Sequence, residues 1–291
     1  MNTIDLHMHS IYSDDGEYTP KELMKMCKDA GLQIVAIADH NSTKAITEAR
    51  AAAKQWDITY IPAIELDCTI DGVDLHVLGY GIDENDPSLL KNEEYVKKQA
   101  QQVGKEQIEK VKALGFYVDE DACYALSHDG VITGEIIAEV ALQDERNHTL
   151  MKDYLPGGKR NDNPFVNFYW DYCAQSKPAY VPIHYISLKE AVDMIHQAGG
   201  IAVLAHPGNN TKENLSLLDA IFAYDITGME VYSSYHSPEQ IAFYEDYAKQ
   251  HHLMITMGSD FHGKTKPSIA LGGSHCPDTA LYEATILSHV K

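Results

Sequence analysis

The sequence predicts an α/β fold, a single barrel interrupted in its middle, on three observations. Short apolar runs alternate with amphipathic helical stretches at both ends of the 291-residue chain. Residues that ligate metals fall at or beside the ends of those runs, where barrels of this class build their sites from C-terminal strand ends and the loops after them. Between about Asn85 and Tyr180 the strand signals fade into helical and then irregular sequence.

The elements follow in order. A strand-like TIDLH leads to His7-Met8-His9, and Thr19-Pro20-Lys21-Glu22 then offers an N-cap, a proline at the first helical position and a capping-box Glu. Leu23, Met26, Cys27 and Ala30 keep helical spacing until Gly31 closes the helix. The run from Ile34 to Ala38 reads as a buried parallel strand ending at Asp39-His40, so residues 3–40 form a β-α-β unit. A helix over about 43–56 precedes ITYIPAIEL, a strand ending near Glu65, and VDLHVLGY carries His76. The alternation resumes where Ser187 and Glu190 cap a helix, Gly199-Gly200 ends it, and IAVLA delivers His206. Ser237-Pro238-Glu239-Gln240 starts another helix, and LMITM delivers Gly258-Ser259-Asp260. In the interruption, 88–114 is charged and amphipathic and 132–142 is a shorter apolar helix. The stretch LPGGKRNDNPFVNFYWDY is too apolar for a free linker and is expected to pack over the barrel mouth as a lid. The expected organisation is a discontinuous barrel (1–84 and 181–275), an insertion (85–180) and a C-terminal strap (276–291).

Composition narrows the partners. Lys and Arg total 23 against 43 Asp and Glu, a formal charge of −20 that repels duplex DNA and anionic membrane surfaces. Five cysteines, an odd number without a CxxC pair, fit reduced thiols and a cytoplasmic location. The N-terminus shows no charged leader, and no stretch approaches the roughly 20 apolar residues of a membrane span.

His7 and His9 alternate at strand spacing, which turns both imidazoles to one face and suits two ligands on one ion. Such a pair alone would as readily be two ordinary histidines. Here it is followed by Asp14 in Ser13-Asp14-Asp15-Gly16 and by Asp39-His40 at a strand end. IDLHMHSIYSDDG, AIADHNS, the Glu65 strand end, LHVLGY, VLAHPG and MGSDFHG, in that order, resemble the motifs of the PHP family, named for polymerase and histidinol phosphatase.

That resemblance implies a distorted seven-stranded β/α barrel holding two or three divalent Mn, Fe or Zn ions and hydrolysing phosphate esters. One ion would be held by His7, His9, Glu65 and Asp260, with Glu65 bridging to a second held by His76 and His206. A third would take Asp14, His40 and His262, with Asp15 the alternative to a favoured Asp14. Asp39 and Ser259 read as supports rather than ligands. The mixed N and O donor set suits all three metals and does not choose among them.

Glu65, Asp260 and His206 form the expected catalytic core, where a metal-bound hydroxide attacks phosphorus in line and no covalent phosphoenzyme forms. Lys264, Lys159, Arg160 and His184 are the candidates for contacting substrate, against the plainer reading of solvated loop residues. A nucleotide-acting branch of the family usually carries an Arg and a His in a short apolar helix of its insertion. The counterpart ITGEIIAEVA has Gly134 and Ile136, which moves phosphate recognition elsewhere. Phe168, Tyr169, Trp170 and Tyr172 either stack on a base or anchor the lid. The expected function is hydrolysis of a small phosphate monoester such as a nucleotide or, ranked first, a nucleoside bisphosphate. The alternatives are a phosphodiesterase or exonuclease on short oligonucleotides and a non-catalytic metal-binding PHP module.

Overall fold

A computed structural model describes residues 3–290. The first β-α-β unit forms as the sequence predicts. Strand β1 (Ile4–Asp5) pairs in parallel with β2 (Ile34–Val35), and helix α1 (Pro20–Asp29) crosses between them. The Thr19–Glu22 capping box is complete in both directions, and Gly31 takes φ +80° at the exit. Helix α2 (Ala45–Trp56) leads to β3 (Thr59–Tyr60), which pairs in parallel with β2.

Strands β4 (Ala63–Ile70) and β5 (Val73–Tyr80) depart from a purely parallel pattern. They form an antiparallel hairpin closed by Asp71-Gly72, with φ +51° and +79°, the positive pair a two-residue hairpin turn requires. Glu65 is therefore the third residue of an eight-residue strand rather than its end, and His76 sits in the middle of the return strand.

Between β5 and the next strand every regular element is helical: α3 (Pro87–Ala113), α4 (Glu120–Leu126), α5 (Gly134–Gln143) and α6 (Pro164–Phe168), the last running into a π-type turn at Tyr169–Cys173. These share a core of their own, which includes Ile108, Ile137, Met151 and Phe168. The strand-like segment before His184 makes no ladder. Pairing begins at β6 (Ile186–Ser187), beside β4.

Helix α7 (Leu188–Gln197), capped by Ser187 and Glu190, precedes β7 (Ile201–Leu204). The short α8 (Pro207–Asn210), α9 (Leu215–Phe222), β8 (Gly228–Ser233), α10 (Pro238–Gln250) and β9 (Met254–Gly258) follow, with β7, β8 and β9 parallel neighbours. Helix α11 (Ala280–His289) ends the described chain with Ile286 buried beneath it.

The strands divide into a three-stranded sheet and a six-stranded sheet ordered β6-β4-β5-β7-β8-β9. Backbone hydrogen bonds join the sheets at two seams. Leu6 N donates to Met257 O (3.0 Å) and Asp260 N to His7 O (2.7 Å) on one side; Glu65 N donates to Asp39 O (3.1 Å) and Asn41 N to Glu65 O (2.7 Å) on the other. Apart from Asp14, in the loop before α1, every residue expected to ligate a metal lies on these strands or just beyond them. No helix among the described residues is long and apolar enough to cross a membrane.

Candidate metal centre

Glu65 is the hub. Its Oε2 lies 3.1 Å from His7 Nε2, 3.3 Å from His9 Nε2 and 3.3 Å from His40 Nδ1, and its Oε1 lies 3.0 Å from His76 Nδ1 and 3.1 Å from His206 Nε2. Asp260 Oδ1 stands 2.9 Å from His9 Nε2 and 3.4 Å from His7 Nε2. Residues just after β1, β2 and β7, with His76 on the return strand β5, thus deliver five imidazoles onto one carboxylate. The ligand atoms of His7, His9, Glu65 and Asp260 lie within 4.8 Å of one another, and so do those of Glu65, His76 and His206.

A third group comprises His9, Asp15, His40 and His262. Asp15, not the favoured Asp14, reaches His262, with Oδ2 3.1 Å from Nε2. The two aspartates are consecutive in a turn that brings both to the cleft, and the loop aims the second at His262. Its backbone carbonyl is fixed by the Thr265 hydroxyl at 2.7 Å.

Supporting hydrogen bonds hold the outer nitrogens and turn the other nitrogens inward. His7 Nδ1 is held by Glu230 Oε1 at 3.1 Å, His9 Nδ1 by Ser13 Oγ at 2.9 Å and His262 Nδ1 by the Asp260 carbonyl at 2.8 Å. A partner on one ring nitrogen fixes the tautomer and aims the other, the usual second layer of a metal site. Glu230, absent from the sequence-based candidates, also accepts from His206 N at 2.8 Å. Asp39 accepts from Ser10 N and Oγ at 2.6 and 2.7 Å. The backbone is constrained as well, with φ +21° at His206 and +56° at Asp260, conformations that cost about 1–3 kcal/mol each. At Gly258 a Cβ would meet the His7 Cβ at 2.2 Å and Glu230 Oε1 at 2.3 Å, so only glycine lets β9 approach this closely.

Burial pushes the Glu65 carboxyl up, but His7, His76 and His40 outweigh it and hold Glu65 well below the carboxylate range. Burial, reinforced by His262, takes His9 down to about 4, which leaves it as the neutral imidazole that metals bind. Asp14 moves to about 7 through burial and then the adjacent Asp15.

The donor set fits divalent ions. Two ligand atoms bonded to one ion at about 2.0–2.2 Å stand about 2.9–3.5 Å apart, the spacing found throughout the cluster. His7 Nε2, His9 Nε2, His40 Nδ1 and Glu65 Oε2 are buried and make no hydrogen bond among the described residues. Buried polar atoms without partners are costly unless something else engages them.

Above the cluster opens a cleft of about 260 Å³, with Asp14, Asp15, His40, Asp67 and His76 at its floor and residues of 96–185 forming its wall. Val96, Ile132, Val166, Tyr169, Trp170 and Tyr185 make much of that wall apolar. The aromatic run divides: Phe168 and Tyr172 pack in the insertion core, Trp170 lines the cleft, and Tyr169 does both.

The four substrate-contact candidates are not brought to the cluster. Lys264 pairs with Glu139 at 2.7 Å because the 3-10 turn at Gly263–Thr265 points it outward. Arg160 is tied to Asp171 at 2.9 Å, and Lys159 beside it is exposed. His184 is exposed between Ile183 and Tyr185, whose side chains take the cleft face. The cation that does reach the site is Lys266, the one Lys or Arg among the described residues lining the cleft. It is buried, with Nζ 2.8 Å from Asp260 Oδ2 and 5.5 Å from the Tyr235 ring centre. Lys266 lies two residues beyond the candidate Lys264. Asp67 was missed outright, although it follows Glu65 by two residues and so shares its face of β4.

Comparison with known proteins places this geometry. The family profile described as PHP domain matches residues 5–152. The chain is 31% identical over 276 residues to the 5'-3' exoribonuclease Rnm of Escherichia coli, covering 92% of this chain and 87% of that protein. It is 29% identical over 265 residues to the 3',5'-nucleoside bisphosphate phosphatase of Chromobacterium violaceum, covering 90% and 88%. Among solved structures it is similar to a candidate metal-dependent phosphoesterase from Bifidobacterium adolescentis, with a TM-score of 0.76 and 25% identity over 96% of this chain and 94% of that one.

Proposed function

The chain belongs to the PHP family, and the relatives it matches are named as hydrolases of phosphate ester bonds; from that premise we propose that it is a metal-dependent phosphomonoesterase acting on a small nucleotide-type substrate. The observation that carries the reading is the convergence of His7, His9, Glu65, His76, His206 and Asp260 beneath a cleft with an apolar, aromatic wall. In this reading His7, His9, Glu65 and Asp260 hold one divalent ion, Glu65, His76 and His206 a second, and Asp15, His40 and His262 a third. Ions bound there supply Lewis acidity and an activated water for in-line displacement at phosphorus.

The protein's own residues do the rest. Glu65, with both oxygens facing imidazoles, keeps the ligand groups at one spacing. Asp260 is held well below the carboxylate range, because Lys266, His262 and His7 outweigh the effect of burial. Lys266, shared with Asp260, is placed to meet a phosphoryl oxygen as a point charge. Tyr169 and Trp170 offer faces on which a base can stack. The acidic floor, with Asp14, Asp15, Asp67 and Asp74, supports cation-mediated rather than direct binding of the phosphate.

A second reading, removal of nucleotides from the end of a short oligonucleotide, is favoured by the similarity to the exoribonuclease. Release of inorganic phosphate from nucleoside monophosphates, bisphosphates, sugar phosphates and 5'-phosphorylated oligonucleotides separates the two. The monoesterase predicts fast phosphate release from nucleotides and no shortening of oligomers. Mononucleotide products with little free phosphate would establish the second reading instead.

A further inference from the structure

We propose that Asp67 is itself a metal ligand, sharing an ion with His40 and His76 on the cleft side of the centre. This rests on the reading of the cluster as a metal site and adds a carboxylate to it. Alternation along β4 turns Asp67 to the same face as Glu65, and the hairpin register sets it directly opposite His76. Its Oδ1 lies 3.3 Å from His40 Nδ1 and 3.3 Å from His76 Nε2. That is long for a charge-assisted hydrogen bond, about 2.7–2.9 Å, but it suits two donors on one ion. The three ligand atoms lie within 4.8 Å of one another, and His40 Nδ1 has no hydrogen bond among the described residues.

The carboxylate is also pre-set for the task. Asp67 Oδ2 accepts from Asn41 Nδ2 at 2.7 Å, while Asp67 N donates to Asn41 Oδ1 at 3.2 Å. This reciprocal pair fixes the rotamer and leaves Oδ1 for the centre. Asn41 holds φ +54° to do so, and Asn92 of α3 donates to its Oδ1 at 3.3 Å, so the insertion buttresses the arrangement.

The assignment bears on His76. A neutral imidazole has one lone pair to give. His76 faces Glu65 through Nδ1 and Asp67 through Nε2. With Asp67 as a ligand, His76 would bind through Nε2 and His40 through Nδ1, so the ion at Glu65 and His206 would do without His76 and the one at Asp15 and His262 without His40.

The test is metal content, with nitrogen-15 NMR of histidine-labelled, zinc-loaded protein and His76→Gln to assign the resonance. Wild type is expected to bind zinc with His76 coordinated through Nε2. D67A and D67N are expected to lose one equivalent of zinc per chain, and His76 to switch to Nδ1. D67N preserves the shape and the Asn41 contact, and thermal melting checks that both variants fold. Full zinc content in the folded variants would overturn the assignment, as would a wild-type His76 bound through Nδ1 with Nε2 protonated, which makes Asp67 an orienting group only. In either case the metal reading stands. A wild-type protein that binds no zinc would sink both.

Discussion

The floor and the wall of the cleft are built by opposite means. The floor takes side chains from six strands or their exits, aimed by ladder register; most are buried, and His7, His9 and His262 are held by a second hydrogen bond. The wall takes side chains from the helices and loops of the insertion, which has a separate apolar core, and Trp170 among them is 49% exposed. A floor fixed by strand register carries chemistry that tolerates little displacement. A wall carried by its own core can change its lining without disturbing the floor, which is where substrate preference is expected to reside.

The largest effect should come from the floor. Glu65→Gln keeps the shape of the hub but removes the charge that five imidazoles face, and phosphatase activity is expected to fall by more than about 10³-fold, with loss of bound metal seen by elemental analysis. Retention of both metal and activity would break the distinction, since the floor would then be no more demanding than the wall.

The seam between floor and wall should give an intermediate effect. Lys266→Met is expected to lower kcat by about 10²-fold, the scale of one lost donor to a transition-state oxygen. Lys264→Met, which removes only an outward pair with Glu139, should leave kcat within about twofold, because exposed pairs contribute about 0–1 kcal/mol. Equal losses in the two variants would return Lys264 to the site.

The smallest effect belongs to the wall. Trp170→Ala should raise KM for a nucleotide about tenfold, within the roughly 1–3 kcal/mol of a base stacked on an aromatic ring, and leave kcat and the turnover of an aryl phosphate unchanged. A change in kcat alone would show that the wall takes part in the chemistry.

Much of the floor was legible because its signals are local. Capping boxes at Thr19, Ser187 and Ser237 and the alternation of His7 with His9 fix elements within a few residues. What escaped depends on direction. Asp14 and Asp15 differ by one position, and only the folded turn decides which faces His262. Lys264 is nearer to His262 in sequence, yet the 3-10 turn aims Lys266 inward. Asp67 needed the return strand to become visible, although the Asp71-Gly72 pair between apolar runs is itself a hairpin signal. The wall was legible only as helices, since nothing in a helical repeat says which cleft its face will line. The split of Phe168 and Tyr172 from Trp170 follows from a π-type turn that sequence does not announce.

The two-residue turn at Asp71-Gly72 has a further consequence. Adding or deleting a single amino acid there would slide one hairpin arm past the other and swing His76 to the opposite side of the sheet. A loop of several residues could absorb such a change, but this one passes it straight to the imidazole. Along the lineage of this chain, indels should therefore collect in the helical segments and spare this corner.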